Sequence, residues 1–284
     1  MTTRYLVAWA GDRHCGDALR LGAVLANTFG ATLDVVYVAR SGGGMAAAQA
    51  GERAFERALL AEAKARMQKA VADIPAGLDV KLHVLRSPSV AAGILQAAKE
   101  LQVELVVMGA GHGSGMPVMS SVASAILHAS PVPVALAPRG YAHAQHDRLD
   151  EIACAVGTRP GAQDVVDEAV KVALRSGTRL KLISLVELGS DARASQDARA
   201  AASTAIEAAQ VKVAERAPVE LVVAEGRNAT AAIHSVEWTP NSVVLVGSSR
   251  LATGRQTFLG SMAARMLAAL PVPMIVVPAP GHRA

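Results

Sequence analysis

The chain has 284 residues, 51% of them apolar and only 18% charged, with a formal net charge of +4. That is room for two domains of common size, each able to bury a core, and too apolar a composition for a disordered chain. No Lys/Arg cluster forms a stripe, so nucleic-acid binding gains no support, and no apolar stretch approaches the ~20 residues of a bilayer span.

The first residues, Met1-Thr2-Thr3-Arg4-Tyr5-Leu6-Val7, enter a strand at 5–9 and lack the apolar region of a signal peptide. A glycine turn at Gly11 follows. Ala18, Leu21, Leu25 and Phe29 recur at three- and four-residue steps, the stripe of a helix, and Gly30 stands where a C-cap glycine would close it. The near-continuous apolar run 33–38 reads as a strand covered on both faces of a parallel sheet. After Gly42-Gly43-Gly44, a long helix carries Leu60, Ala63, Met67 and Val71 on one face. Residues 80–85 alternate as a strand, Pro88 opens a helix at 89–101, and Leu105-Val106-Val107-Met108-Gly109 is a buried strand leading into a Gly/Ser-rich loop. A short helix begins at Ser120-Ser121-Val122 and the half closes on Pro131-Val132-Pro133-Val134-Ala135-Leu136.

Residues 141–150, polar and carrying two histidines, read as a linker. The order then recurs: strand 152–156, helix 165–174, strand 180–186, an Ala-rich helix at 192–216, strand 219–224 and helix 229–238. The strand Ser242-Val243-Val244-Leu245-Val246-Gly247, a loop, Gly260-Ser261-Met262 and Pro271-Val272-Pro273-Met274 complete the copy. Repeats this long are whole domains, since solenoid units recur every roughly 20–50 residues. Alternating strand and helix argues for parallel βαβ crossovers with helices on both faces of an open sheet. The prolines of each final strand mark an edge, and an exposed edge needs cover. The two final strands therefore pair the halves about a pseudo-twofold, with Val132, Val134, Val272 and Met274 beside it.

These residues resemble the universal stress protein family in its tandem two-domain form. The resemblance rests on Val107-Met108-Gly109 with Ser120-Ser121-Val122 and Pro131-Val132-Pro133-Val134. It rests more closely on Val246-Gly247-Ser248-Ser249-Arg250 with Leu259-Gly260-Ser261 and Pro271-Val272-Pro273. Leu6-Val7-Ala8-Trp9-Ala10-Gly11 resembles the family's first strand and turn. The fold expected is α/β: two tandem open parallel five-stranded sheets with helices on both faces, packed as a pseudo-twofold pair, over domains 1–140 and 150–284.

The resemblance also implies a site. Nucleotide-binding members carry G-x2-G-x9-G-[ST], in which glycines admit the backbone to the phosphates and helix-start N–H groups donate to them. The second half keeps that spacing as Gly247, Arg250 and Gly260-Ser261, with arginine for the second glycine. Its candidate nucleotide-binding residues are Gly247, Ser248, Arg250, Gly260, Ser261 and Met262. The first-half loop is two residues shorter, with Ser120 for the last glycine. The aspartate that binding members place after the first strand aligns with Ala10 and Gly157. Losing it costs on the order of 1–3 kcal/mol. Weak binding of ATP or another adenine nucleotide in the second half is the expectation, with a mainly structural first half.

Arg250 admits two readings, a bidentate phosphate ligand or a side chain that fills the pocket or pairs with an acid. Arg255 is expected in solvent. His112 and His128 lack ligand-spaced partners, and Cys15 and Cys154, one per half, form no metal or disulfide pattern, which suits a reducing cytoplasm. His14, Cys15 and Asp17 read as a polar helix start, and neither phosphate loop supplies a base or metal-binding carboxylate. The expectation is a cytoplasmic, non-enzymatic binding or regulatory protein, an intramolecular pseudo-dimer open to a protein partner or to further homodimerisation, with no membrane and no nucleic acid. Rival readings stay open: an interaction protein with both sites dead, a slow nucleotide hydrolase, or a cytosolic domain serving a transporter.

Overall fold

The structure is a computed structural model that describes residues 2–12, 15–41, 50–72, 74–75, 77–110, 120–157, 162–188, 192–213, 218–248 and 261–278. The first half runs β1 (Arg4–Ala8), α1 (Cys15–Phe29), β2 (Thr32–Arg40), α2 (Ala50–Val71), β3 (Val80–Ser87), α3 (Val90–Glu100), β4 (Leu105–Gly109), α4 (Ser121–Ala129) and β5 (Val134–Ala137). The second repeats it as β6 (Glu151–Ala155), α5 (Ala162–Ser176), β7 (Arg179–Glu187), α6 (Ala192–Val213), β8 (Val219–Gly226), α7 (Ala229–His234), β9 (Ser242–Gly247), α8 (Ser261–Ala269) and β10 (Met274–Val277).

Local chemistry accounts for the element ends. Gly30 takes φ +65° after α1, and the Ala31 N–H returns to the Ala26 carbonyl, the left-handed exit that favours glycine. Ser89 caps α3, its hydroxyl accepting from Ala92 N, so Pro88 sits one residue before the cap instead of opening the helix. The helix expected over 229–238 stops at His234. Beyond it the Trp238 indole folds back to donate to the Ile233 carbonyl at 2.9 Å.

Within each half the five strands are parallel, as expected. The full order is β3-β2-β1-β4-β5-β10-β9-β6-β7-β8, with β5 and β10 antiparallel. The two sheets are thus hydrogen-bonded edge to edge into one sheet of ten strands, where the sequence reading kept them separate. Ala135 stands opposite Ile275, with Val134–Val276 and Leu136–Met274 on either side. Val134 and Met274 lie at the seam as expected, whereas Val132 and Val272 lie outside the strands. Pro131 and Pro133 precede β5, and the Pro133 carbonyl accepts from Val106 N. The prolines therefore delimit the strand and do not interrupt it.

Two apolar layers run through both halves. One, carrying Val7, Ala135, Ile275 and Cys154, lies under α1 and α5; the other, carrying Leu6, Leu136, Met274 and Val244, lies under α3, α4, α7 and α8. The connection between halves is fastened along α1. Asp17 accepts from Gly140 N (3.2 Å) and Ala142 N (2.7 Å), capping the 3-10 turn Tyr141–His143. Arg20 donates to the carbonyls of Ala144 and His146, and Thr28 Oγ1 accepts from Leu149 N. A β-carbon at Gly16 would sit 3.2 Å from that of Ala142, so the strap lies close on the helix. Among the described residues, no helix is long and apolar enough to cross a membrane.

Candidate functional site

Open parallel sheets place ligands beyond the carboxyl ends of their strands, and the sequence motifs fall there in both halves. The loops after β4 and β9 leave the sheet identically: Ala110 N donates to the Ala137 carbonyl and Ser248 N to the Val277 carbonyl, both at 2.9 Å. Gly247 ends β9, and Ser261 opens α8. Arg250 and Gly260 lie outside the described residues, as do Arg255 and His112. Of Ser261 and Met262 only their place in the first turn of α8 is described. The candidate set is thus framed by a strand end and a helix start, the two elements that a phosphate loop joins.

The two copies differ at both ends of that loop. In the first half, the Ser120 hydroxyl accepts from Ala123 N at 3.0 Å and satisfies one of the helix-start donors itself. The equivalent residue of the second half is Gly260, which has no side chain to do so. At the strand end, a β-carbon on Gly247 would lie 2.7 Å from Val165 Cγ2, while one on Gly109 would meet no described residue within 4 Å. The first-half counterpart of Val165 is Ala18.

The ends of the first two strands differ more. Trp9 N donates to the Val36 carbonyl and Val156 N to the Ile183 carbonyl, which fixes the correspondence. Trp9 is 6% exposed and packs edge-on against Tyr37, with ring centroids 5.8 Å apart. The Arg66 guanidinium stands 5.8 Å over the indole and donates to the Gly11 carbonyl. Among the described residues, the indole N–H has no hydrogen-bond partner. The corresponding residues of the second half are Val156, Ser184 and Ala208. A large aromatic and cationic cluster in one copy is matched by small side chains in the other. The sequence reading missed this cluster, although a chain with two tryptophans and three tyrosines makes any aromatic at a strand end conspicuous.

The polar residues near the first helix are structural. The Cys15 thiol donates to Asp12 Oδ1 (3.3 Å) and accepts from Ala10 N (3.2 Å). Burial, then the neighbouring Asp12 carboxylate, pushes that thiol up to about 11, so it is no nucleophile at neutral pH. Burial alone pushes Cys154 up to about 12. Asp12 is engaged with Cys15, and Asp17 caps the connecting strap. Among the described residues, no group of three or more His, Cys, Asp or Glu could hold a metal ion.

At the seam, Ser248, Val276 and Pro278 share a narrow cleft with Leu127, Ser130, Val132 and Val134. The start of the second-half loop therefore borders residues of the first half.

Comparison with known proteins agrees with this duplicated architecture. The sequence profile of the universal stress protein family matches residues 1–138 and again 149–278. Universal stress proteins of Mycobacterium bovis and Mycobacterium tuberculosis are 30% identical over 233 residues, covering 77% of this chain and 80% of theirs. Among solved structures, a universal stress protein from Archaeoglobus fulgidus superposes with a TM-score of 0.66 at 18% identity, covering 99% of this chain and 98% of that one. A protein of unknown function from Pseudomonas aeruginosa does so at 0.60 and 16% identity, covering 99% and 94%. The chain is a tandem member of the universal stress protein family.

Proposed function

We propose that the chain is a non-catalytic binding protein whose second half takes an adenine nucleotide, ATP in the first instance, with modest affinity, while its first half is structural. The observation that carries this reading is the contrast at the strand ends, where Trp9, Tyr37 and Arg66 stand in one copy and Val156, Ser184 and Ala208 in the other. A base needs room beside the strand ends, and the first copy has filled that room with its own indole. The loop ends support the same asymmetry. Ser120 occupies a helix-start donor in the first half, whereas Gly260 leaves the equivalent donor for an anion.

Gly247, Ser248, Gly260, Ser261 and Met262 would line the phosphates in this reading. Arg250 is a plug in a pocket that was once open, and affinity is modest because Gly157 brings no carboxylate to the ribose. The two halves 1–140 and 150–284 act as one unit through the seam.

Calorimetric titration of the intact chain with ATP tests the proposal. Gly260→Val should abolish binding, because a branched side chain blocks the backbone's approach, and Ser120→Val should change it little. Val156→Trp with Ser184→Tyr, which rebuilds the aromatic pair of the first-half cluster in the second half, should also abolish it. Arg250→Gly should tighten binding; weaker binding would make Arg250 a phosphate ligand. Equal losses from the Ser120 and Gly260 changes would refute the asymmetry, and no heat at all would favour an interaction protein without a nucleotide.

A further inference from the structure

Three strand positions near the amino ends of the strands carry charge in both halves, and the sign is inverted at each. In the first half, Arg4 on β1 forks onto Asp34 on β2, with Nε to Oδ2 at 2.9 Å and Nη2 to Oδ1 at 2.6 Å. Asp34 is fully buried, takes a third contact from His83 Nε2 at 2.8 Å, and stands opposite Lys81 of β3 in the ladder. In the second half the positions of Arg4, Asp34 and Lys81 are held by Glu151, Lys181 and Glu220. Lys181 Nζ lies 3.2 Å from Glu151 and 3.5 Å from Glu220, with the Lys181 and Glu151 side chains 6% and 2% exposed. The ladder register is the same in both copies: Asp34 pairs with Leu6, two residues beyond Arg4, and Lys181 pairs with Ala153, two residues beyond Glu151. The third charges differ in reach, since Lys81 is half-exposed beside Asp79 at 3.6 Å while Glu220 reaches Lys181. First-half strands read plus, minus, plus; second-half strands read minus, plus, minus.

A duplicated chain has a folding hazard that a single domain lacks, because equivalent strands compete for the same slot. The apolar pattern discriminates poorly. Tyr5, Leu6 and Val7 present buried apolar surface where Ile152, Ala153 and Cys154 do, and both face the same kind of neighbours in β4 and β9. The charges discriminate sharply. If β1 took the place of β6, Arg4 would meet Lys181; if β6 took the place of β1, Glu151 would meet Asp34. Both encounters would set like charges side by side in a buried slot, with only Glu220 left beside Lys181 or His83 beside Asp34, which costs more than the native pairs contribute.

We infer that these inverted charges assign each strand to its own half, preventing strand exchange between the two copies within a chain and between chains. A buried polar contact that fixes register and partner is the best-attested use of such pairs.

The test recodes the second half to match the first, with Glu151→Arg, Lys181→Asp and Glu220→Lys, keeping every native contact between opposite charges. Refolding from denaturant, followed by light scattering on a sizing column, should show a several-fold rise in dimers and larger exchanged species over the unaltered chain. Inverting the first half as well, by Arg4→Glu, Asp34→Lys and Lys81→Glu, restores the difference between halves. It should return the monomer yield, although six residues are then changed. If the threefold variant does not fold, a chain neutral at all six positions (Arg4→Met, Asp34→Asn, Lys81→Gln, Glu151→Gln, Lys181→Met, Glu220→Gln) carries the test and should show the same rise. Monomer yields unchanged in the recoded chain, or equally poor in the recoded and doubly inverted chains, would overturn the assignment and leave the inversion as local packing alone.

Discussion

Gly109 and Gly247 end equivalent strands and open equivalent loops, yet only one has packing that excludes a side chain. A β-carbon at Gly247 would fall 2.7 Å from Val165 Cγ2, and a β-branched neighbour on a helix has little rotamer freedom with which to yield. The same atom at Gly109 would meet no described residue within 4 Å, and the counterpart of Val165 in that half is the smaller Ala18. Gly247→Ala should therefore cost ~1–3 kcal/mol through overpacking. Gly109→Ala should stay within about 0.5 kcal/mol of the unaltered chain, as surface changes usually do. Urea denaturation of the two variants measures both, and adding Val165→Ala to Gly247→Ala should recover most of the loss, since contacting residues couple. A motif glycine thus has two physical reasons here: closeness to α5 as well as closeness to a ligand. Asp34 offers the larger effect. Asp34→Ala would leave Arg4 and His83 without their buried partner, so ~3–5 kcal/mol of stability should go, measured the same way.

The segment between the halves was the element least legible in the sequence. Residues 141–150 are polar and without period, so they read as a plain linker. Their structure comes from Asp17, Arg20 and Thr28, more than a hundred positions earlier, which supply the caps and donors that the segment lacks. Within it, Tyr141 and His146 meet at 2.9 Å, and His146 is half-buried near Arg20. Burial, then the Arg20 charge, lowers the His146 pKa below 6.5 against the opposing pull of Asp150 and Asp147. The folded strap thus favours neutral imidazole, which shares a hydrogen bond with the Tyr141 hydroxyl. The unfolded chain binds the proton more readily, so this contribution is complete above pH 6.5 and is lost as pH falls through and below it. Protection of the amides across 140–149, corrected for the intrinsic pH dependence of exchange, should fall as pH drops below about 6.5, and His146→Gln should flatten that dependence. An unchanged profile in the variant would place the titration elsewhere. By contrast α1 was legible, because its apolar stripe and Gly30 are local signals. The candidate site fell between these cases. Loop spacing could be read along the chain, but Trp9, Tyr37 and Arg66 lie on three separate elements, and only the fold brings them together. The prolines at 131 and 133 are ambiguous for a related reason: proline within a strand marks an edge, but these residues precede the strand.

At the scale of the whole molecule, a four-residue seam decides whether there are two domains or one. β5 and β10 contribute only Val134–Ala137 and Met274–Val277, but both apolar layers continue across them. Ala135 and Ile275 belong to one layer, and Leu136 and Met274 to the other, so neither half completes its core alone. Burying side chains of this size contributes roughly 1.5–3 kcal/mol each, and those benefits depend on the ladder that holds them in register. Arg175 adds a polar tie on the surface, donating to Thr3 Oγ1 at 2.7 Å and standing 3.5 Å from Glu104. Unfolding should accordingly be a single cooperative transition, with fluorescence from Trp9 in one half and Trp238 in the other reporting the same midpoint. Val134→Pro is the change that separates seam from core. Val134 stands opposite Val276, and strand alternation turns its N–H toward β10 while Pro133 and Ala135 face β4, so proline there removes a donor of the seam ladder without adding charge or much bulk. The variant should show two transitions at different denaturant concentrations, one from each tryptophan, and should self-associate through the edges it exposes. Coincident transitions in that variant would mean that side-chain packing alone couples the halves, and that the hydrogen-bonded seam follows from the packing without directing it.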